Sequence, residues 1–84
     1  MTRDRFLGLS LPERAKWLYF NGQLITSIRY YRHKVNLYLL EQVYVEVFYN
    51  HTEDRVDQIE PLDLRSKRMN FYADQIKLPT DLIQ

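Results

Sequence analysis

Two histidines, His33 and His51, and one short basic and aromatic run are the side chains of this sequence whose types could do chemistry by themselves. An imidazole can ligate a metal or exchange a proton near neutral pH. A zinc site, however, needs several such groups at i, i+4 on a helix or across one short loop, and these two fall in turns of different hairpins. The chain has no Cys to complete a ligand set. Glu53 and Asp54 form a solvated loop tip with too few oxygens for a hard cation. We therefore expect no metal and no cofactor. Nucleophiles fare no better: Ser10 is committed to a helix cap, Ser27 sits within a strand, and the two glycines, Gly8 and Gly22, build neither a phosphate loop nor a nucleophile elbow. No catalytic residue is assigned, and the balance is against an enzyme.

The run is Arg29, Tyr30, Tyr31, Arg32, His33 and Lys34. Cations neutralise phosphates and aromatic rings stack on bases, so Arg29, Tyr31, Arg32 and Lys34 are candidate nucleic-acid contacts, with Arg65, Lys67 and Arg68 as possible additions. Charge argues against it. The 12 Lys and Arg meet 11 Asp and Glu, a net charge of +1 that steers the chain toward neither nucleic acid nor a membrane surface. Neither an RNP aromatic motif nor a GXXG loop is present. A solvated hairpin end with snorkelling Arg and Lys is the simpler reading.

The elements that would position these groups follow from pattern. Ser10 and Glu13 have capping-box spacing with Pro12 in the first turn, and Asn21 and Gly22 supply a stop, which predicts a helix over residues 11–21. Leu11, Ala15 and Leu18 mark its inner side, joined by Trp17 or Phe20. From residue 23 to 60 there is neither Gly nor Pro and much Val, Ile, Thr, Tyr and Phe, which predicts strands at 23–32, 35–40, 43–49 and 55–60. The turns are then His33-Lys34, Glu41-Gln42 and the polar residues 50–54. After Pro61, Asp63 can cap a helix whose inner stripe is Met69, Tyr72, Ala73 and Ile76, ended by Pro79. The expected fold is α+β in one domain spanning residues 1–84: an N-terminal helix, a four-stranded antiparallel β-meander and a C-terminal helix, with 1–9 and 79–84 as flexible tails.

With Glu41-Gln42 as the turn, Leu39 opposes Tyr44, Leu37 opposes Glu46 and Val35 opposes Phe48 on a first face. Leu40 with Val43, Tyr38 with Val45 and Asn36 with Val47 make a second. The remaining turns put Leu24, Ile28, Tyr30 and Val56 on the first face, and Ile25, Ser27, Arg29, Tyr31 and Ile59 on the second. Both faces come out apolar. A meander ordinarily buries one face and wets the other. Either one helix covers each face, or a face is left for a partner. We expect the latter: a small non-enzymatic protein-interaction module, homodimeric or in a small hetero-complex, whose interface is Arg29, Tyr31, Tyr38, Val43, Val45, Val47 and Tyr49. Seven Tyr, four Phe and one Trp in 84 residues supply more aromatic surface than so small a core needs. With no cysteine, no signal-peptide h-region and no apolar run of membrane-span length, a cytoplasmic protein of bacterial type is expected.

A helix followed by an antiparallel meander with Arg and Tyr on its strands resembles, in element order and size, the small ribosome-dependent ribonuclease toxins of bacterial toxin–antitoxin pairs, although no stretch matches a motif of theirs. That resemblance implies a toxin-like ribonuclease as the alternative function. Arg29, Arg32 and Lys34 would then stabilise phosphate, and Tyr72 would take part in proton transfer.

Overall fold

The computed structural model describes residues 2–73. Its elements are α1 (Arg3–Leu7), α2 (Leu11–Asn21), β1 (Gly22–Tyr30), β2 (His33–Leu40), β3 (Val43–Asn50), β4 (Arg55–Pro61) and α3 (Met69–Tyr72). The strands form one antiparallel sheet in the order β1-β2-β3-β4, so the α+β meander expected from the sequence is the observed fold. The helical stripe expected at Ile76 and the stop at Pro79 lie outside the described residues.

Helix α2 begins where its capping chemistry dictates. Ser10 Oγ accepts from the Glu13 amide at 3.3 Å, and Glu13 Oε1 accepts from the Ser10 amide at 2.9 Å. Only Leu18 of this helix is buried; Leu11 and Ala15, expected beside it with Trp17 or Phe20, are exposed, as are both aromatics. The helix runs straight into β1 at Gly22, where a Cβ would stand 2.7 Å from the Leu18 carbonyl oxygen, a spacing that only glycine tolerates without movement. Residues 1–9, expected to be a tail, contain α1: Thr2 caps it through the Arg5 amide, and Phe6 is completely buried.

The register of β2 on β3 is the expected one, with Leu37 opposite Glu46 and Tyr38 opposite Val45. The first hairpin differs. Its turn is Tyr31-Arg32 rather than His33-Lys34, so Ile28 pairs with Val35 and Arg29 with Lys34. Tyr31 takes φ 57°, a conformation that glycine ordinarily supplies at the first position of a two-residue turn. Two bulges then redistribute the faces. Ile25 is the extra residue between the Leu24–Tyr38 and Thr26–Leu37 pairs, and it packs with Leu37 on the first face while Leu24 moves to the second. Asp57 is the extra residue between the Phe48–Gln58 and Tyr49–Val56 pairs, which carries Val56 to the second face. The sequence expectation for Leu24, Ile25 and Val56 was the opposite in each case, because one inserted residue inverts the alternation beyond it.

Each face of the sheet has its own cover. On the second face, Phe6 of α1 and Leu18 of α2 pack with Leu40, Val45, Val47 and Ile59. On the first, Leu62 and Tyr72 from the segment after β4 pack with Leu37, with Met69, Tyr44, Ile25 and Ile28 around them. Arg14 of α2 locks the second-face cover in place. Its guanidinium donates to the carbonyls of Leu7, Leu9 and Ile59 at 3.0, 3.1 and 2.6 Å.

Candidate interaction surface

The structure divides the seven residues expected at a partner interface into three groups. Val45 is completely buried and Val47 nearly so, beneath α1 and α2, with half-buried Val43 at the margin of the same cluster. Their contacts are therefore largely made within the chain, because α1 supplies Phe6 to this face. Tyr31 projects from its turn, 87% exposed, with its ring edge-on to Tyr30 at 4.6 Å. Arg29, Tyr38 and Tyr49 remain on the part of the second face that the helices leave open.

That open part is an apolar groove of about 410 Å³ beside α2, walled by Leu18, Tyr19, Leu24, Tyr38, Val47 and Val56. Leu24 reaches it only because of the bulge at Ile25, and it stays 54% exposed. Beyond Val56 the same face continues as a cross-strand row. Val56 pairs with Tyr49, Tyr49 with Lys34, and Lys34 with Arg29. Both cations are exposed, and neither forms an ion pair among the described residues. Ser27 and Asn36, bonded to each other at 2.6 Å, separate this basic end from the apolar one.

A second hollow, about 370 Å³, lies on the outward side of α2 between Glu13, Lys16, Trp17, Phe20 and Asn21. Glu13, Lys16, Trp17 and Phe20 have i, i+3, i+4, i+7 spacing, which aligns them on one side of a helix. Phe20 is 69% exposed and Tyr19 84%, and their rings meet edge to face at 5.1 Å. The strip was not expected, because Trp17 or Phe20 was assigned to the inner side of the helix, whereas both are exposed. The signal that could have found it is that α2 carries two apolar stripes, one more than a single sheet face can bury.

Comparison with family models, with curated proteins and with solved structures finds no match.

The polar groups of the first face are mutually satisfied. Glu46, in the middle of β3, accepts from Arg68 Nε at 2.7 Å, Arg68 Nη2 at 2.9 Å and the Tyr72 hydroxyl at 2.8 Å. The hydrogen bond to Glu46 raises the Arg68 pKa. Burial, followed by the hydrogen bond to Glu46, holds the Tyr72 phenol far above its ordinary value. Arg68 also lies over the Tyr30 and Phe48 rings at 5.4 and 5.1 Å. Tyr72, which the ribonuclease resemblance would have used for proton transfer, is thus completely buried as a donor to Glu46.

Nearer the Tyr31-Arg32 turn, Asp57 gathers His33 Nε2 at 2.8 Å, Asn50 Nδ2 at 3.2 Å and Arg55 Nε at 3.0 Å. The hydrogen bond from His33, then those from Arg55 and Asn50, hold its carboxyl down at about 2. The cluster joins β2 to β4 across β3. His33, expected in a turn, is instead the first residue of β2, and His51 stands apart against the Tyr49 ring at 5.2 Å. Tyr49 donates its hydroxyl to Asp54. Among the described residues no group of His, Asp and Glu is arranged to hold a metal, and no helix is long and apolar enough to cross a membrane. Arg32 is exposed at the turn beside Tyr31, so of the four candidate nucleic-acid contacts Arg29 and Lys34 share the open face while Tyr31 and Arg32 occupy the adjoining turn.

Proposed function

We infer that the chain is a protein-interaction module that pairs with a second copy of itself through the outward side of α2. The observation that carries this is the strip of Trp17 and Phe20, with Glu13 and Lys16 just before them along the helix, facing away from the core of its own chain. Burying an aromatic side chain of this size is worth roughly 1.5–3 kcal/mol, a large increment for a small domain. A copy fits the strip because the strip carries both signs of charge. In a two-fold pair with antiparallel α2 helices, Glu13 of each copy can meet Lys16 of the other while Trp17 and Phe20 lie over the start of the partner's helix, so one surface is complementary to itself. The capping-box bonds from Ser10 keep the Glu13 carboxyl below its ordinary pKa, so it carries full charge at neutral pH.

Sedimentation velocity over a concentration series tests this. A dimer is expected in the micromolar range, converted to monomer by Phe20→Glu with an unchanged circular dichroism spectrum. Wild-type protein that remains monomeric to about 100 µM, a dissociation free energy under about 5.5 kcal/mol, overturns the reading.

A further inference from the structure

We propose that the open second face is a binding site for an acidic, apolar-rich segment of a partner protein. The groove beside α2 would take its aliphatic or aromatic side chains, and the Arg29–Lys34 pair its carboxylates. This site is separate from the α2 strip and would be occupied by a different chain.

Three observations carry the assignment. First, Arg29 and Lys34 stand directly opposite each other on adjacent strands, a like-charge pairing that disfavours the hairpin, and neither is ion-paired to a described carboxylate. An anion from outside removes that repulsion. Second, the pair is continuous with the groove through Tyr49 and Val56, so one short segment lying along the face meets apolar walls at one end and cations at the other. Third, Leu24 and Tyr38 line the groove as a cross-strand pair produced by the Ile25 bulge, and Leu24 is more than half exposed. Charge complementarity thus selects an acidic occupant, and the apolar groove selects a peptide over a polyphosphate.

The test selects random short peptides displayed on phage against the full chain, then measures an enriched peptide by fluorescence anisotropy. Enriched sequences should combine Asp or Glu with Leu, Ile, Val or Phe. The joint substitution Arg29→Glu, Lys34→Glu should weaken binding roughly tenfold or more, as should added salt, whereas Lys67→Glu should not. Enrichment of peptides without acidic residues, no enrichment, or binding indifferent to Arg29 and Lys34 overturns the proposal. Oligouridylate is run in parallel; if it binds through Arg29 and Lys34 and displaces the peptide, the face belongs to single-stranded nucleic acid and the proposal fails. Sedimentation keeps the two readings apart: Arg29→Glu, Lys34→Glu should leave self-association intact, and Lys16→Glu should leave peptide binding intact.

Discussion

Glu46, 1% exposed at the centre of the sheet, is held by the two nitrogens of Arg68 from a segment that begins only after the last strand is complete. The pair is the polar fastening of the first face. Two ionised groups taken out of water are stable only while each has the other, so truncating one is far costlier than replacing both. Arg68→Ala should therefore cost about 3–5 kcal/mol in urea denaturation, enough to unfold much of a small domain. Replacing all three partners, Glu46→Leu with Arg68→Met and Tyr72→Phe, should recover most of that loss, because no buried donor is then left without an acceptor. Equal losses in the single and triple variants would show that the apolar contacts of Leu62 and Tyr72, not the ion pair, hold the segment.

Asp57 sets an acid limit. Its carboxyl is depressed to about 2, first by the hydrogen bond from His33 and then by those from Arg55 and Asn50. A depressed carboxylate contributes stability above its unfolded pKa, near 3.8, and loses it as pH falls through its folded value. The melting temperature should therefore fall between about pH 4 and pH 2, and Asp57→Asn should flatten that part of the profile while lowering stability at neutral pH. A wild-type profile with no slope in this window would contradict the geometry around Asp57.

The charges on α2 make a reciprocal experiment possible. Lys16→Glu should weaken self-association, because the strip then carries two carboxylates facing two more. Glu13→Lys should do the same for the opposite reason, with some loss of the capping box. Mixing the two variants should restore a heterodimer, since every contact is then between unlike charges. Sedimentation of the mixture measures this directly, and failure of the mixture to associate would place the contact elsewhere.

Tyr31 occupies a glycine position without glycine's freedom. Left-handed backbone costs a non-glycine residue about 1–2 kcal/mol. Its ring contact with Tyr30 returns about 0.5–1.5 kcal/mol. Tyr31→Gly should accordingly leave the urea midpoint unchanged or slightly higher. Tyr31→Val, branched at Cβ and unable to reach the Tyr30 ring, should lower the unfolding free energy by about 1 kcal/mol or more.

The parts of this fold legible in the sequence are those where one residue type has one physical use. Ser10, Pro12 and Glu13 announce a helix start, and the β2–β3 alternation aligns Leu37 with Glu46 and Tyr38 with Val45. Illegible parts depend on single inserted residues. Nothing in the composition around Ile25 or Asp57 marks a bulge, yet each inverts the faces beyond it, and Tyr31 disguises a turn because it is not a turn residue. For the candidate surface, Arg29, Tyr38 and Tyr49 were readable as one face by alternation. That Val45 would lie under α1 was not, since a helix of five residues has little intrinsic stability to advertise it and exists because Phe6 finds a site.

The bonds of Arg14 bear on the order in which the chain comes together and apart. One guanidinium joins the carbonyls that close α1 to a carbonyl of β4, so the first helix has its anchor in the last strand. In hydrogen exchange, the amides of α1 should open together with those at the end of β4, as one cooperative unit despite their separation in sequence. During folding that unit can close only after the meander is complete, which makes the N-terminal helix among the last elements to become protected.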